Sequence, residues 1–156
     1  GELAVIIGKG GRKISENEAM NSIAGYSCYN DGSIRDWQRH TSQFTAGKNF
    51  VGTGGFGPWM ISSDEIPDQS VLHIETSLIG KVMQSAPISD LVFNVPKLIA
   101  YISSFTELEA GDVIITGTTG GVGAARTPPV WMKAGDTVEV EISKIGTLIN
   151  PILDAN

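Results

Sequence analysis

Two acidic residues stand where a metal ion could be held. Glu2 directly precedes an apolar run, residues 3–7, that predicts a buried strand, and Asp31 follows a short predicted strand at residues 26–29. Hard divalent cations such as Mg²⁺ prefer carboxylate oxygens as ligands. Either acid alone is also typical of a solvated strand end, so the two residues are candidates and not a complete motif.

Three further polar residues could bind an anionic ligand. Arg35 and Gln38 lie three apart in a short helix predicted after Asp31, so they share a face on which a guanidinium and an amide could hold a carboxylate. Lys48 lies in a glycine-rich segment, where Gly47 allows the backbone to approach a ligand closely. The alternatives are an exposed helix face for the pair and a solubilising surface role for the lysine.

Other candidates for chemistry are weaker. His40 and His73 could be general bases, but a helix end and an alternating strand favour capping and packing for them. The glycine loop at 117–123 follows a predicted strand, yet it lacks the Lys-Ser/Thr pair of a phosphate-binding loop, and Pro128 with Pro129 prevents a helix from following directly. A tight turn is the simpler interpretation of this loop.

The elements that must position these residues are mostly strands. Alternation predicts an antiparallel hairpin from residues 71–77 and 81–84, and strands at 113–116 and 138–142. Ser15 with Glu18 has the pattern of a capping box, and a second helix carries Pro96 in its first turn, capped by Asn94 or Ser89. Residues 45–58 read as one long loop. Two or three helices among seven or more strands predict a single α+β, mostly β, domain.

Composition limits the class of partner. The 156 residues carry 11 basic and 17 acidic side chains, for a net charge of −6, with the basic ones scattered along the chain. A nucleic-acid surface needs concentrated positive charge, so nucleic acid is excluded and a small molecule is the expected partner. Apolar runs are too short to span a membrane, and the single cysteine, Cys28, fits a reducing cytoplasm.

Taken in order along the chain, these pieces resemble the catalytic C-terminal domain of the fumarylacetoacetate hydrolase family. The segments that carry the resemblance are ELAVIIG (2–8), GYS (25–27), NDGSIRDWQ (30–38), GKNF (47–50), GPW (57–59), GDVI (111–114), TGT (116–118) and GVG (121–123). The resemblance covers residues 1–156, and the upstream N-terminal part of a usual family member is expected to be missing.

The resemblance implies a mixed β-roll, usually a homodimer, that holds Mg²⁺ or Mn²⁺. Glu2 matches the second of two metal-binding glutamates and Asp31 the metal-binding aspartate, while the first glutamate would fall immediately before Gly1. Thr119 stands where many members have proline. The resemblance further implies that Lys48 faces an oxyanion of the substrate. It implies that Arg35 and Gln38 face its carboxylate end, and Thr118 a second oxygen.

The leading functional hypothesis is a metal-dependent hydrolase that cleaves a carbon–carbon bond in a 2,4-dioxo acid, such as an acylpyruvate, in aromatic or sugar-acid breakdown. A metal ion that chelates a 2-oxo acid stabilises enolate charge in several reactions. An isomerase, decarboxylase or hydratase acting on a 2-oxo-dienoate is therefore the first alternative. A non-catalytic binding domain or inactive fragment is the second.

Overall fold

The computed structural model of the chain describes residues 1–154. Strands dominate, as the sequence predicts, and the α+β, mostly β, class is confirmed. The strands are β1 (Glu2–Ile7), β2 (Ile23–Asn30), β3 (Gly55–Ser62), β4 (His73–Leu78), β5 (Lys81–Pro87), β6 (Val113–Thr118), β7 (Thr137–Ile142) and β8 (Gly146–Pro151); the helices are α1 (Glu16–Ala19), α2 (Arg35–Gln38) and α3 (Val95–Phe105).

The strands form two four-stranded sheets. The first has the order β3-β2-β1-β6 and the second the order β5-β4-β7-β8. The resemblance implied a mixed β-roll; the six pairings between the described strands are all antiparallel. The predicted hairpin is confirmed as β4 and β5.

The core lies between the two sheets and under α3. Strand β1 is central in its sheet, and Leu3, Ala4 and Val5 on it are completely buried. A strand that is covered on both faces needs apolar residues at consecutive positions, which is why 3–7 reads as an unbroken apolar run. The second sheet contributes Val140 and Ile142 to the same core.

The helices differ in how well their starts were predicted. Asn94 caps α3, because its side chain accepts a hydrogen bond from the Lys97 backbone nitrogen at 3.0 Å. Ser15 precedes α1 but makes no capping hydrogen bond, and α1 passes into a 3₁₀ turn at Met20–Ser22. The capping box predicted there was wrong, although the helix begins at the predicted place.

Two strands were missed. The segment 45–58, read as loop, contains a 3₁₀ turn at Phe44–Gly47 and the start of β3. Strand β3 carries Gly55, Gly57 and Pro58, which are poor strand formers, but it lies at the edge of its sheet, where they are tolerated. Strand β8, an edge strand of the second sheet, was not predicted.

Within residues 1–154, no helix has the length and apolar character required to cross a membrane.

Candidate functional site

Three strands of the first sheet bring polar residues to one end of the sheet. Glu2 begins β1, Thr118 ends β6, and these two residues are paired across the antiparallel ladder. Asp31 follows directly after β2, whose Tyr29 pairs with Glu2 on its other side. Strand polarity alone therefore places residues that are far apart in the chain at the same end of the sheet.

A cavity of about 280 Å³ opens at this end of the first sheet, between the two sheets. All six residues that the sequence marked for metal or substrate binding line it: Glu2, Asp31, Arg35, Gln38, Lys48 and Thr118. The lining also includes the apolar residues Leu78, Val122, Val130, Trp131 and Met132. We call the surface formed by the six polar residues the charged wall, and the chemical role of each of them stays a prediction.

Glu2 is the most enclosed of the charged groups, with 5% of its surface exposed. Its Oε2 accepts a hydrogen bond from the Gly117 backbone nitrogen at 2.7 Å, at an irregularity in the β1–β6 pairing. Burial raises the pKa of the Glu2 carboxyl, and the negative charge of Asp31 adds to the rise, against the effect of the Gly117 hydrogen bond. The charge of Asp31 is therefore felt at Glu2.

Asp31 is paired with a cation from a different loop. Its Oδ2 accepts from Lys48 Nζ in an ion pair whose two side chains are both about one-quarter exposed. Lys48 Nζ also lies 3.4 Å from the Asp31 backbone oxygen. The pair fixes the ammonium group on the charged wall of the cavity.

Arg35 and Gln38 contact each other on the same helical face, as their spacing predicted. Arg35 Nη1 donates to Gln38 Oε1, and the Arg35 Nε–H is buried without a hydrogen-bond partner among the described residues. The Nε–H is enclosed by protein, but the guanidinium as a whole is only partly buried and lines the cavity, where its other N–H groups can meet an anionic ligand.

The glycine before Lys48 is needed for close packing. The Gly47 oxygen accepts from the Ile34 nitrogen at 2.9 Å, which ties the loop to the start of α2. A Cβ at Gly47 would lie 2.6 Å from Gln38 Cα. Only glycine lets the backbone of this loop lie against α2, and Lys48, the next residue, lines the same cavity as Arg35.

The two histidines lie elsewhere. The His40 ring packs against Trp37 with the ring centres 4.7 Å apart, and a ring nitrogen of His73 is 2.8 Å from Ser85 Oγ. Neither lines the cavity. The His40 ring packs on Trp37 where capping was favoured, and His73 is exposed and bonds to β5 where packing was favoured.

Sequence reasoning missed Gln84, which lines the cavity from the second sheet and is 7% exposed. A glutamine at an inward-facing position of a strand was the only signal, and the hairpin assignment did not make it stand out.

The donor set fits a hard divalent cation in type. Glu2 and Asp31 supply only carboxylate oxygens, and burial together with the smaller effect of Asp31 disfavours the charged form of Glu2, which a bound cation would favour again. Residues 1–154 contain no cluster of three or more His, Cys, Asp or Glu suited to a metal. This chain would therefore contribute two ligands to the ion.

Comparison with known proteins agrees with this fold. The family model described as fumarylacetoacetate (FAA) hydrolase C-terminal matches residues 1–153. The chain belongs to the fumarylacetoacetate hydrolase family.

Individual relatives are similar over nearly the whole chain. It is 42% identical over 152 residues to oxaloacetate tautomerase YisK of Bacillus subtilis, covering 97% of this chain and 50% of the relative. A fumarylacetoacetate hydrolase from Exiguobacterium antarcticum superimposes with a TM-score of 0.95 at 38% identity, covering 99% of this chain and 55% of that one. A 2-hydroxyhepta-2,4-diene-1,7-dioate isomerase from Mycobacterium marinum gives 0.87 at 36% identity, covering 97% and 56%. The chain spans about half the length of these relatives.

Proposed function

We propose that the chain is a 2-oxo acid tautomerase that interconverts the keto and enol forms of a substrate such as oxaloacetate. The observation that carries the proposal is the position of Lys48 Nζ, tied to Asp31 on the wall of the cavity that Arg35 also lines. The names of the similar tautomerase and isomerase direct the choice of reaction. This choice revises the leading hypothesis from the sequence, which was carbon–carbon hydrolysis.

The reaction needs few groups. Water accepts a proton from C3, the C2–C3 double bond forms, and the C2 oxygen gains a proton from water; the reverse sequence restores the ketone. Arg35, steadied by Gln38, binds the distal carboxylate of the substrate as a two-pronged donor. This contact aligns C3 and C2 along the charged wall.

Lys48 acts on the charge that develops at the C2 oxygen. Its ammonium is held by Asp31 before the substrate arrives, so little reorganisation is needed as the enolate forms. Apolar side chains that also line the cavity, among them Leu78 and Val130, lower the local dielectric and strengthen this interaction.

We further propose that Glu2 and Asp31 hold Mg²⁺ or Mn²⁺. When bound, the ion supplies positive charge that stabilises an enolate. Asp31 would then serve both the ion and Lys48, which makes its charge central to the site.

The test is the ultraviolet absorbance of enol-oxaloacetate, followed as it decays to the ketone with and without the chain in Mg²⁺ buffer. We expect a rate above that of buffer, lost on chelation by EDTA and in Lys48→Met. Decay at the buffer rate at all chain concentrations would contradict tautomerase activity. Ligand binding without rate enhancement would favour the binding-domain alternative.

Hydrolysis is the second candidate, because the Exiguobacterium neighbour is named as a hydrolase. Water would add to the C4 carbonyl of acetylpyruvate, and the C3–C4 bond would break to give acetate and pyruvate. Quantifying pyruvate released from acetylpyruvate distinguishes the two reactions, since a tautomerase enolises this substrate without cleaving it.

The assembly and compartment are also proposals. Edge strand β3 exposes Phe56, Trp59 and Met60, each by about half, which supports pairing with a second copy as a homodimer. Sedimentation equilibrium tests the dimer.

The cytoplasm is proposed because Cys28 is the only cysteine and is buried.

A further inference from the structure

Gln84 is a buried polar residue that joins the two sheets at the cavity. It lies on β5, while the groups it contacts belong to the first sheet and the loop after it. Its Nε2 donates to Thr118 Oγ1 at 2.8 Å and to the Thr119 backbone oxygen at 2.9 Å. Its Oε1 accepts from the Gly1 nitrogen at 2.8 Å.

The chemistry of these partners fixes the orientation of the amide. The Thr119 carbonyl can only accept and the Gly1 nitrogen can only donate, so the amide nitrogen of Gln84 must face the loop and its oxygen must face Gly1. A flipped amide would lose both of those contacts.

The same contacts determine which way the Thr118 hydroxyl hydrogen points. Thr118 Oγ1 already accepts from Gln84, and it lies 3.0 Å from the Gly1 carbonyl oxygen, which can only accept. The hydroxyl hydrogen therefore points at Gly1. What Thr118 still offers to the cavity is an acceptor lone pair.

We infer that Gln84 is a positioning residue that makes Thr118 an acceptor, so that the site selects ligands presenting a hydroxyl at C2 over ligands presenting a bare oxygen there. This inference rests on the proposed function, in which the enol carries that hydroxyl and the ketone does not. An ionised carboxylate also lacks a hydrogen to donate, so Thr118 meets the C2 hydroxyl of the enol and not a carboxylate oxygen.

The experiment compares binding of two acids that differ only at C2. Racemic lactate has a hydroxyl there and pyruvate a ketone, and neither is cleaved during a calorimetric titration in Mg²⁺. The measured quantity is the ratio of the lactate affinity to the pyruvate affinity in each variant, divided by the same ratio in the wild-type chain. Intrinsic differences between the acids cancel in this quotient.

Gln84→Met removes the donor to Thr118 and also the acceptor that holds the Gly1 nitrogen, so the Gly1 carbonyl is no longer fixed against the Thr118 hydroxyl, which can then turn toward the ligand. We expect the ratio to fall about tenfold, the effect of one hydrogen bond. Thr118→Val should lower the ratio similarly, and the double variant should fall no further than Thr118→Val alone, because Gln84 acts through Thr118.

Gln69→Met is the matched control, since Gln69 is equally buried, at 7% exposure, but lies outside the cavity. It should leave the ratio unchanged. Gln84→Leu replaces Gln84→Met if the latter fails to fold, as judged by circular dichroism.

The inference is overturned if the ratio is unchanged in the Gln84 variant or if the fall in the double variant is additive. It is also overturned if the wild-type chain binds neither acid. The enol absorbance assay judges the proposed function separately. If the ratios change as predicted but the chain has no tautomerase activity, the role of Gln84 stands and the proposed reaction is wrong.

Discussion

Asp31 combines two demands at the residue scale, because its carboxylate holds Lys48 and, in the proposed function, also a metal ion. Asp31→Asn keeps the shape but removes the charge that a hard cation requires. We expect metal affinity to fall at least tenfold and turnover to be lost, with the fold retained. Calorimetric titration with MnCl₂ measures the affinity.

The control for Asp31→Asn is Asp36→Asn, a change at an exposed aspartate of α2 outside the cavity. It should bind metal as the unaltered chain does. Unchanged affinity in Asp31→Asn would remove Asp31 from the metal site.

Arg35 tests which end of the substrate the helix recognises. A lysine keeps the charge of Arg35 but cannot bind a carboxylate with two parallel hydrogen bonds. Arg35→Lys should raise KM for oxaloacetate about tenfold and change KM little for a monocarboxylic 2-oxo acid. Steady-state kinetics on both substrates provide the comparison, and an equal loss for both would assign Arg35 a structural role.

Most of the polar residues that line the cavity could be identified from the sequence, but long-range contacts between them could not be predicted. Arg35 and Gln38 are neighbours through helical spacing alone, so their contact could be predicted locally. Glu2 and Asp31 were candidates from their positions at strand ends, and the family resemblance matched them to metal-binding positions. Gln84 could not be found, because its role depends on β5 facing the end of β6, a long-range arrangement that no local pattern encodes.

At the scale of elements, the contact between α2 and the loop before Lys48 controls the charged wall. Gly47→Ala would bring a methyl group within 2.6 Å of Gln38 Cα, so the helix and the loop must separate. We expect destabilisation of about 1–3 kcal/mol, typical of overpacking, and a fall in kcat/KM. Chemical denaturation and enol kinetics measure the two effects.

Gly120→Ala is the matched control for this substitution, because a Cβ at Gly120 meets nothing within 4 Å. It should leave stability and kcat/KM near their original values. If Gly47→Ala behaved in the same way, the close packing of the loop on α2 would not matter for the site.

Element predictions succeeded where local chemistry dominates. The apolar run of β1 and the Asn94 cap of α3 are strong local signals, and both were correct. Strand β3 failed because its glycines and proline are unfavourable in isolation, and its strand conformation comes from pairing with β2. The Ser15 capping box failed because the side chain makes no capping bond despite the matching pattern.

For the molecule as a whole, the packing of the two sheets against each other determines how accessible Cys28 is. Cys28 lies completely buried between them, and its Sγ contacts the Gly146 oxygen at 3.4 Å. Burial raises the pKa of the Cys28 thiol to about 11, so the reactive thiolate is scarce in the folded chain at neutral or mildly alkaline pH.

We therefore expect the folded chain to resist iodoacetamide at pH 8, while the chain unfolded in guanidinium reacts fully. Mass spectrometry of the alkylated protein gives the modified fraction. Rapid alkylation of the folded chain would mean that the sheets separate readily and that the core between them is not stably closed.

The central claim is that the cavity enolises a 2-oxo acid, and the most direct measurement is exchange of the C3 protons of pyruvate in D₂O, followed by proton NMR. Enolisation removes a C3 proton and ketonisation returns a deuteron, so exchange reports the proposed step without requiring a net reaction. We predict exchange faster than in buffer with the chain and Mg²⁺, and a loss of about 10² to 10³ in Lys48→Met, as for removal of a preorganised donor. Exchange at the buffer rate, or an unchanged rate in Lys48→Met, would contradict the account.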